Sequence, residues 1–159
     1  MSGTKPSAVE GAYWTERLAE PELFERGVLL DVEANGKPFA VPVGRLRRGG
    51  HIEFVRKREA EKAFKQLKGK DGFPNLRVIS CRDPLTLKPM RYYELAWGEP
   101  APFNGCDWCE PVCAVLLGTH YGYSVDSIIQ HVRVRKWAPG KGLDAMIVRR
   151  LIEAVRNPE

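Results

Sequence analysis

The sequence predicts an α+β protein with a small antiparallel sheet, made of two hairpins and a central strand, and one helix packed on that sheet. A helical C-terminal part follows, joined to the sheet through a cysteine-rich metal site. Three observations carry this prediction. Turn signals separate short β-rich runs over residues 27–98, helical periodicity dominates residues 99–159, and all four cysteines lie between residues 81 and 113. Residues 1–26 are predicted to form an N-terminal helical segment.

The N-terminal segment is predicted to be an amphipathic helix over residues 8–26 that changes direction at Pro21, because proline suits the first turn of a helix but not its interior. Residues 28–33 and 39–43 have the composition of β-strands, and Asn35-Gly36 between them is a strong hairpin signal. These features predict the first hairpin of the sheet.

The central strand is predicted at residues 51–55, and the clearest helix of the chain follows it. Apolar side chains in this helix recur at the spacing of one buried stripe, which consists of Ala60, Ala63, Phe64 and Leu67. Because an α-helix turns by about 100° per residue, the cations Arg58, Lys62 and Lys65 project away from that stripe. Residues 76–82 and 90–97 are predicted to form the second hairpin.

After a loop rich in proline and glycine, three helices are predicted. They span residues 109–118, 124–136 and 142–156, and Ser124 stands where an N-cap residue would accept a backbone hydrogen bond. The apolar face of the last helix is expected to be buried. It consists of Leu143, Met146, Ile147, Leu151, Ala154 and Val155.

The positive charge of the chain is concentrated in one segment. The net charge is +5 over 159 residues, but residues 45–70 alone carry ten Lys or Arg and three Glu, a net charge of +7. A concentrated basic segment is typical of proteins that bind a polyanion, and the alternative is a solvated face. The predicted nucleic-acid-binding residues are Arg45, Arg47, Arg48, Arg56, Arg58, Lys62 and Lys65, with Arg133, Arg135 and Lys136 as a second patch.

Three of the four cysteines have the close spacing of a metal site. Cys106 and Cys109 form a Cys-x2-Cys motif, and Cys113 follows one helical turn later. The fourth ligand is predicted to be Cys81 rather than His120, because seven residues of continuous helix would separate His120 from Cys113 by about 10 Å. Four thiolates favour zinc, and a [4Fe–4S] cluster is the alternative.

Two other interpretations of the cysteines stay open. Cys81 and Cys113 can be small buried apolar side chains without a metal. Alternatively, Cys106 and Cys109 can be a redox pair at the start of a helix, where the helix dipole stabilises a thiolate.

Several functional classes lack support in the sequence. There is no phosphate-binding loop, no dinucleotide-binding glycine motif and no metalloprotease or serine-hydrolase motif, so we expect no enzyme. No apolar run approaches the roughly 18 residues of a membrane-spanning helix, and the N-terminus lacks the apolar region of a secretory signal. The expected location is therefore the cytoplasm, where cysteines stay reduced.

The function predicted from these features is nucleic-acid binding through a basic loop–strand–helix segment, in a protein with a structural metal site of four cysteines. Two alternatives remain. In the first, the protein is a non-enzymatic structural or adaptor subunit of a larger assembly, such as a viral particle or ribonucleoprotein, and its basic segment faces an acidic protein. In the second, it is an Fe–S or thiol redox protein whose activity depends on the cysteines.

Overall fold

The computed structural model gives the fold over residues 8–33, 38–82, 86–102, 110–135, 137 and 142–158. Within these residues the chain is α+β, as the sequence predicts, and none of its helices is long and apolar enough to cross a membrane. In chain order the elements are α1 (Ala8–Arg17), a 3-10 helix (Pro21–Arg26), β1 (Val28–Leu29), β2 (Phe39–Ala40), β3 (Gly49–Phe54), α2 (Lys57–Leu67), β4 (Arg77–Arg82), β5 (Pro89–Gly98), α3 (Pro111–His120), α4 (Val125–Val134) and α5 (Ala145–Arg156).

The described strands form two antiparallel sheets. β1 pairs with β2 as a short two-stranded sheet, and β3, β5 and β4 form a three-stranded sheet in that order. Both predicted hairpin pairings are therefore confirmed, although the turn at Asn35-Gly36 lies outside the described residues. The strand that was predicted to be central, β3, lies at an edge of its sheet. β5 takes the centre, where Tyr93, Glu94, Leu95 and Ala96 pair with β3 on one side and with β4 on the other.

α2 covers one face of the three-stranded sheet through the stripe that its sequence predicts. The stripe consists of the fully buried Ala60, Ala63 and Leu67 and the partly buried Phe64. It packs on a core that includes Phe54 of β3 and Leu95 and Trp97 of β5. Burial of a large apolar side chain contributes about 1.5–3 kcal/mol, so this packing fixes the rotation of α2. The polar side of the helix is thereby turned to solvent.

The three C-terminal helices pack around a second core, and the predicted apolar face of the last helix is correct only in part. Leu143 and Leu151 pack against this core as predicted. Val148 and Ile152, one turn apart, are buried in this core. Met146 is 60% exposed and Ile147 is 43% exposed, so their predicted burial is wrong. α5 has more apolar residues than one face can hold, and its periodicity alone therefore does not decide which of them face the core.

The N-terminal segment is attached to both of the larger parts of the fold. Leu18 and Leu23 are buried beside β2. The backbone N–H of Ala19 donates a hydrogen bond to the carbonyl oxygen of Gly122 at 2.8 Å, just after α3. The segment therefore helps to hold β2 and the C-terminal helices together.

Candidate functional site

Most of the cations predicted to contact phosphates have exposed side chains. The exposed ones are Arg45, Arg48, Arg56, Arg58, Lys62, Lys65, Arg133 and Arg135. Lys136 lies outside the described residues. In the second predicted patch, the guanidinium carbon of Arg135 lies 4.8 Å from the centre of the Trp137 ring, within the range of a cation–π contact.

Four of these cations lie at the start of α2 and on its solvent side. We call Arg56, Arg58, Lys62 and Lys65 the α2 surface. Nη1 of Arg56 lies 3.9 Å from Oε2 of Glu33, and both side chains are largely exposed. Lys62 and Lys65 form no ion pair with any residue that the structure describes. Exposed ion pairs contribute only about 0–1 kcal/mol, so a polyanion can replace such a carboxylate at little cost.

A buried carboxylate anchors the start of α2 beneath this surface. Glu59 is 4% exposed, and its Oε2 accepts a hydrogen bond from the backbone N–H of Glu33 at 3.0 Å. This hydrogen bond, reinforced by the charges of Lys62 and Arg58, holds the pKa of Glu59 below its ordinary value, although burial acts in the opposite direction. Glu59 therefore stays ionised and ties α2 to the segment that follows β1.

Arg47 is a structural residue, which corrects its assignment as a phosphate contact. The side chain is 4% exposed. Its Nε donates to the carbonyl oxygen of Val41 at 3.3 Å, and its Nη1 donates to that of Tyr121 at 2.6 Å. Burial lowers the pKa of Arg47 to about 10, which leaves the guanidinium charged at neutral pH. Arg47 therefore joins the segment after β2 to the residue after α3, and it does not face solvent.

A concave surface lies beside Arg45 and Arg48, and we call it the arginine cleft. Its volume is about 230 Å³, and α3 and α5 contribute to its wall. Nη1 of Arg48 lies 3.6 Å from Oε2 of Glu99 in an exposed ion pair. The charged and titratable side chains that line the cleft are Arg45, Arg48, Glu99, His120 and Arg156.

Two nitrogen atoms of the residues that line the arginine cleft are buried without a partner. Nε2 of His120 and Nε of Arg156 make no hydrogen bond in the described part of the chain, where they are the only buried side-chain nitrogen or oxygen atoms in this state. Arg156 is nevertheless held in place, because its Nη2 donates to the carbonyl oxygen of Tyr123 at 2.6 Å. A buried polar group without a partner costs about 1–3 kcal/mol. The cleft therefore combines positive charge with unsatisfied polar groups.

The imidazole of His120 is mostly neutral at neutral pH. Burial lowers the pKa of His120, the nearby Glu99 opposes this effect, and the positive charges of Arg47 and Arg48 reinforce it. A neutral imidazole carries a proton on one of its two nitrogens. The side chain can therefore donate a hydrogen bond into its surroundings without adding a charge.

A second, more open groove adjoins the arginine cleft. It has a volume of about 630 Å³, shares Arg45, Arg48 and Glu99 with the cleft, and continues over Asn75 and Gly98. Arg45 and Arg48 therefore border two concave surfaces. A chain-like ligand in the groove would pass both guanidinium groups.

Two of the four predicted metal ligands lie in the described part of the chain. Cys81 on β4 and Cys113 on α3 are half-buried free thiols, and Cys106 and Cys109 lie outside the described residues. Among the residues that the structure describes, no group of three or more His, Cys, Asp or Glu side chains is arranged to hold a metal ion. The four-cysteine site therefore stays a prediction.

The surroundings of Cys81 favour its protonated form. Burial raises the pKa of the thiol, and the negative charges of Glu94 and Glu53 raise it further, whereas a hydrogen bond with Tyr92 lowers it. A thiolate is the form that binds a metal. Metal binding at Cys81 would therefore have to displace a proton against two neighbouring carboxylates.

Comparison with known proteins gives a family without a described activity. Residues 4–150 match a family described as a family of unknown function, DUF6302. The chain belongs to this family. No curated protein and no solved structure matches it.

Sequence reasoning missed Arg156 of this DUF6302 chain and considered His120 only as an alternative metal ligand. Arg156 is one of several basic residues on α5, and nothing in its local pattern marks it as part of a site. The backbone N–H of Arg48 donates to the carbonyl oxygen of His120 at 2.9 Å, which brings the two residues together. Such contacts between distant segments have no signal in residue spacing.

Proposed function

We propose that this protein is a non-enzymatic nucleic-acid-binding protein. The observation that carries the proposal is the concentration of exposed cations within residues 45–65, where the α2 surface is accompanied by Arg45 and Arg48. Because the apolar stripe of α2 is buried, the cations of the α2 surface face solvent. Their positive charge is therefore available to a partner. A row of cations matches the repeated negative charge of a phosphate backbone.

The charge balance on α2 supports the α2 surface as the contact region. The exposed Glu61 lies one turn after Lys57, with its Oε1 3.6 Å from Nζ of Lys57. Glu59 is buried, accepts the backbone N–H of Glu33 and has its Oε1 3.5 Å from Nε of Arg58. Lys62 and Lys65 form no ion pair with any residue that the structure describes, so their ammonium groups are available to phosphates. Contacts of this kind release counterions and depend little on base sequence.

The loop that carries Arg45 and Arg48 is held in shape by a carboxylate. Oε1 of Glu20 accepts the backbone N–H of Arg45 at 3.0 Å, and its Oε2 accepts that of Leu46 at 2.8 Å. A loop that is already ordered loses less conformational entropy on binding than a flexible one. Arg45 and Arg48 are therefore well placed to contact phosphates.

We also propose that the protein has a structural metal site formed by Cys81, Cys106, Cys109 and Cys113, with zinc as the metal and a [4Fe–4S] cluster as the alternative. The half-buried thiols of Cys81 and Cys113 support it, since both are accessible enough to bind a metal and sheltered enough to be structural. Metal analysis of the purified protein is expected to find one zinc ion per chain, and Cys109→Ser is expected to lose it. A colourless protein without metal would contradict this part of the proposal.

The variant Lys62→Gln with Lys65→Gln tests the α2 surface. We expect oligonucleotide binding to weaken by about tenfold, or about 0.7 kcal/mol for each lost charge, and by a similar factor for every base sequence. Fluorescence anisotropy with labelled single-stranded and duplex oligonucleotides measures the effect.

The matched control is Arg149→Gln with Arg150→Gln, which removes two exposed charges from α5 instead. We expect this control to bind nearly as well as the unmodified protein. Equal weakening in both double variants would contradict the proposal, because binding would then follow net charge alone. A protein that binds no oligonucleotide but is isolated with a protein partner would favour the adaptor function.

A further inference from the structure

We propose that the arginine cleft binds a phosphate monoester group. This site goes beyond the contacts of the α2 surface with a nucleic-acid backbone, because it is concave and would surround a single phosphate. The cleft shares Arg45 and Arg48 with the proposed interface, but His120 and Arg156 belong to the cleft alone.

The charge of the arginine cleft matches a dianion. Its lining contains the guanidinium groups of Arg45, Arg48 and Arg156 and the carboxylate of Glu99, a net charge of +2 when His120 is neutral. A phosphate monoester carries a charge of about −1.5 to −2 at neutral pH. Guanidinium groups also match its oxygens in geometry, because their N–H groups can form two parallel hydrogen bonds.

The carboxylates near the cleft reduce its positive charge without cancelling it. Glu20 interacts with Arg156 through its charge, and it keeps that charge while its oxygens accept the backbone N–H groups of Arg45 and Leu46. Glu99 forms an exposed ion pair with Arg48, and such a pair contributes little free energy. Three guanidinium groups against these two carboxylates leave a net charge of +1 for a ligand.

The two buried nitrogens without hydrogen-bond partners are a second, independent observation that favours a phosphate ligand in the arginine cleft. His120 is 7% exposed and lines the cleft. Its Nε2 makes no well-formed hydrogen bond in the described part of the chain, although a contact with the backbone of Glu99 raises the pKa of the imidazole. Nε of Arg156, which always carries a proton to donate, is likewise buried without a hydrogen bond to a described residue. Because both nitrogens are buried, a phosphate oxygen would reach either one only after the side chain rotates toward the cleft. Such a ligand would remove the cost of leaving them unpaired.

The size of the cleft limits the ligand to a small group. Its volume of about 230 Å³ is below the roughly 300–1,000 Å³ of pockets that enclose a drug-sized ligand. A phosphate fits, while the rest of a larger molecule would extend into the adjoining groove over Asn75 and Gly98. The ligand class is therefore a phosphate monoester, either a small compound or the terminal phosphate of a nucleic acid.

A titration of the full chain with inorganic phosphate at constant ionic strength, followed by NMR, tests the site. We expect saturable shifts of the His120 ring signals and of the Arg156 Nε–H signal. Arg45→Gln is expected to weaken binding by about tenfold, as for one lost charge-assisted hydrogen bond. Arg149→Gln, which removes an exposed charge from α5, is the matched control and is expected to change binding by less than about twofold.

Two further probes identify the source of the phosphate. If 5′-phosphorylated oligonucleotides bind more tightly than their 5′-hydroxyl forms, the cleft takes a nucleic-acid end. If adenosine 5′-monophosphate and inorganic phosphate shift His120 but the two oligonucleotide forms bind alike, the cleft takes a small phosphate compound. No saturable shift at His120 and Arg156 with inorganic phosphate or mononucleotide would overturn the proposal. Inorganic phosphate has no chain to contact the α2 surface, so this result is independent of nucleic-acid binding.

Discussion

Arg45, Arg47 and Arg48 are close neighbours in the sequence, yet the fold uses them differently. Arg45 and Arg48 are exposed, whereas Arg47 is buried and bonded to two carbonyl oxygens. Gly122 permits this burial, because a Cβ atom at that position would lie 2.5 Å from Cβ of Arg47, and its φ of +71° is one that glycine adopts without strain. A count of charged residues does not distinguish the three arginines. Only their contacts with distant residues show which one is structural.

Replacement of Arg47 should therefore affect stability. Arg47→Gln is expected to lower the free energy of unfolding by about 2–4 kcal/mol, because the carbonyl oxygens of Val41 and Tyr121 lose their charged donor. Urea denaturation measures the effect. Arg45→Gln is the control and should change stability by less than about 0.5 kcal/mol. Equal stability of the two variants would show that Arg47 is not structural.

The helices differ in how much of their packing their sequences predict. α2 has few apolar residues, so the positions of Ala60, Ala63 and Leu67 leave one possible buried face, and the prediction is confirmed. α5 is apolar over a wider arc, and the position of its neighbours decides that Val148 and Ile152 are buried. The predicted N-cap at Ser124 is also confirmed, because a cap depends on a local hydrogen bond.

The start of α5 depends on a capping residue that the sequence prediction missed. Oδ1 of Asp144 accepts the backbone N–H of Ile147 at 2.9 Å. Asp144→Ala is expected to lower the free energy of unfolding by about 1 kcal/mol, whereas Asp144→Asn should keep most of the stability because asparagine caps equally well. Thermal or urea unfolding checks both variants. A similar loss in both would assign the effect to the charge of Asp144 instead of its capping hydrogen bond.

At the scale of the whole molecule, the fold class and the α2 surface could be predicted because both depend on local patterns. The arginine cleft could not, since its residues come from separate parts of the chain. The backbone of Arg48 donates a hydrogen bond to that of His120, and Arg156 lies at the end of α5. Glu20, from the N-terminal segment, holds the loop between them. The proposed functional surface is therefore a product of how the segments pack.

The salt dependence of oligonucleotide binding measures whether the exposed cations bind a phosphate backbone. The exposed cations of the proposed interface are Arg45, Arg48, Arg56, Arg58, Lys62 and Lys65. If all of them contact phosphates of a duplex, a plot of the logarithm of the binding constant against that of the salt concentration should have a slope of about −5. In Lys62→Gln with Lys65→Gln the slope should be shallower by about 2. A binding constant that does not change with salt would show that the exposed cations do not contact phosphates.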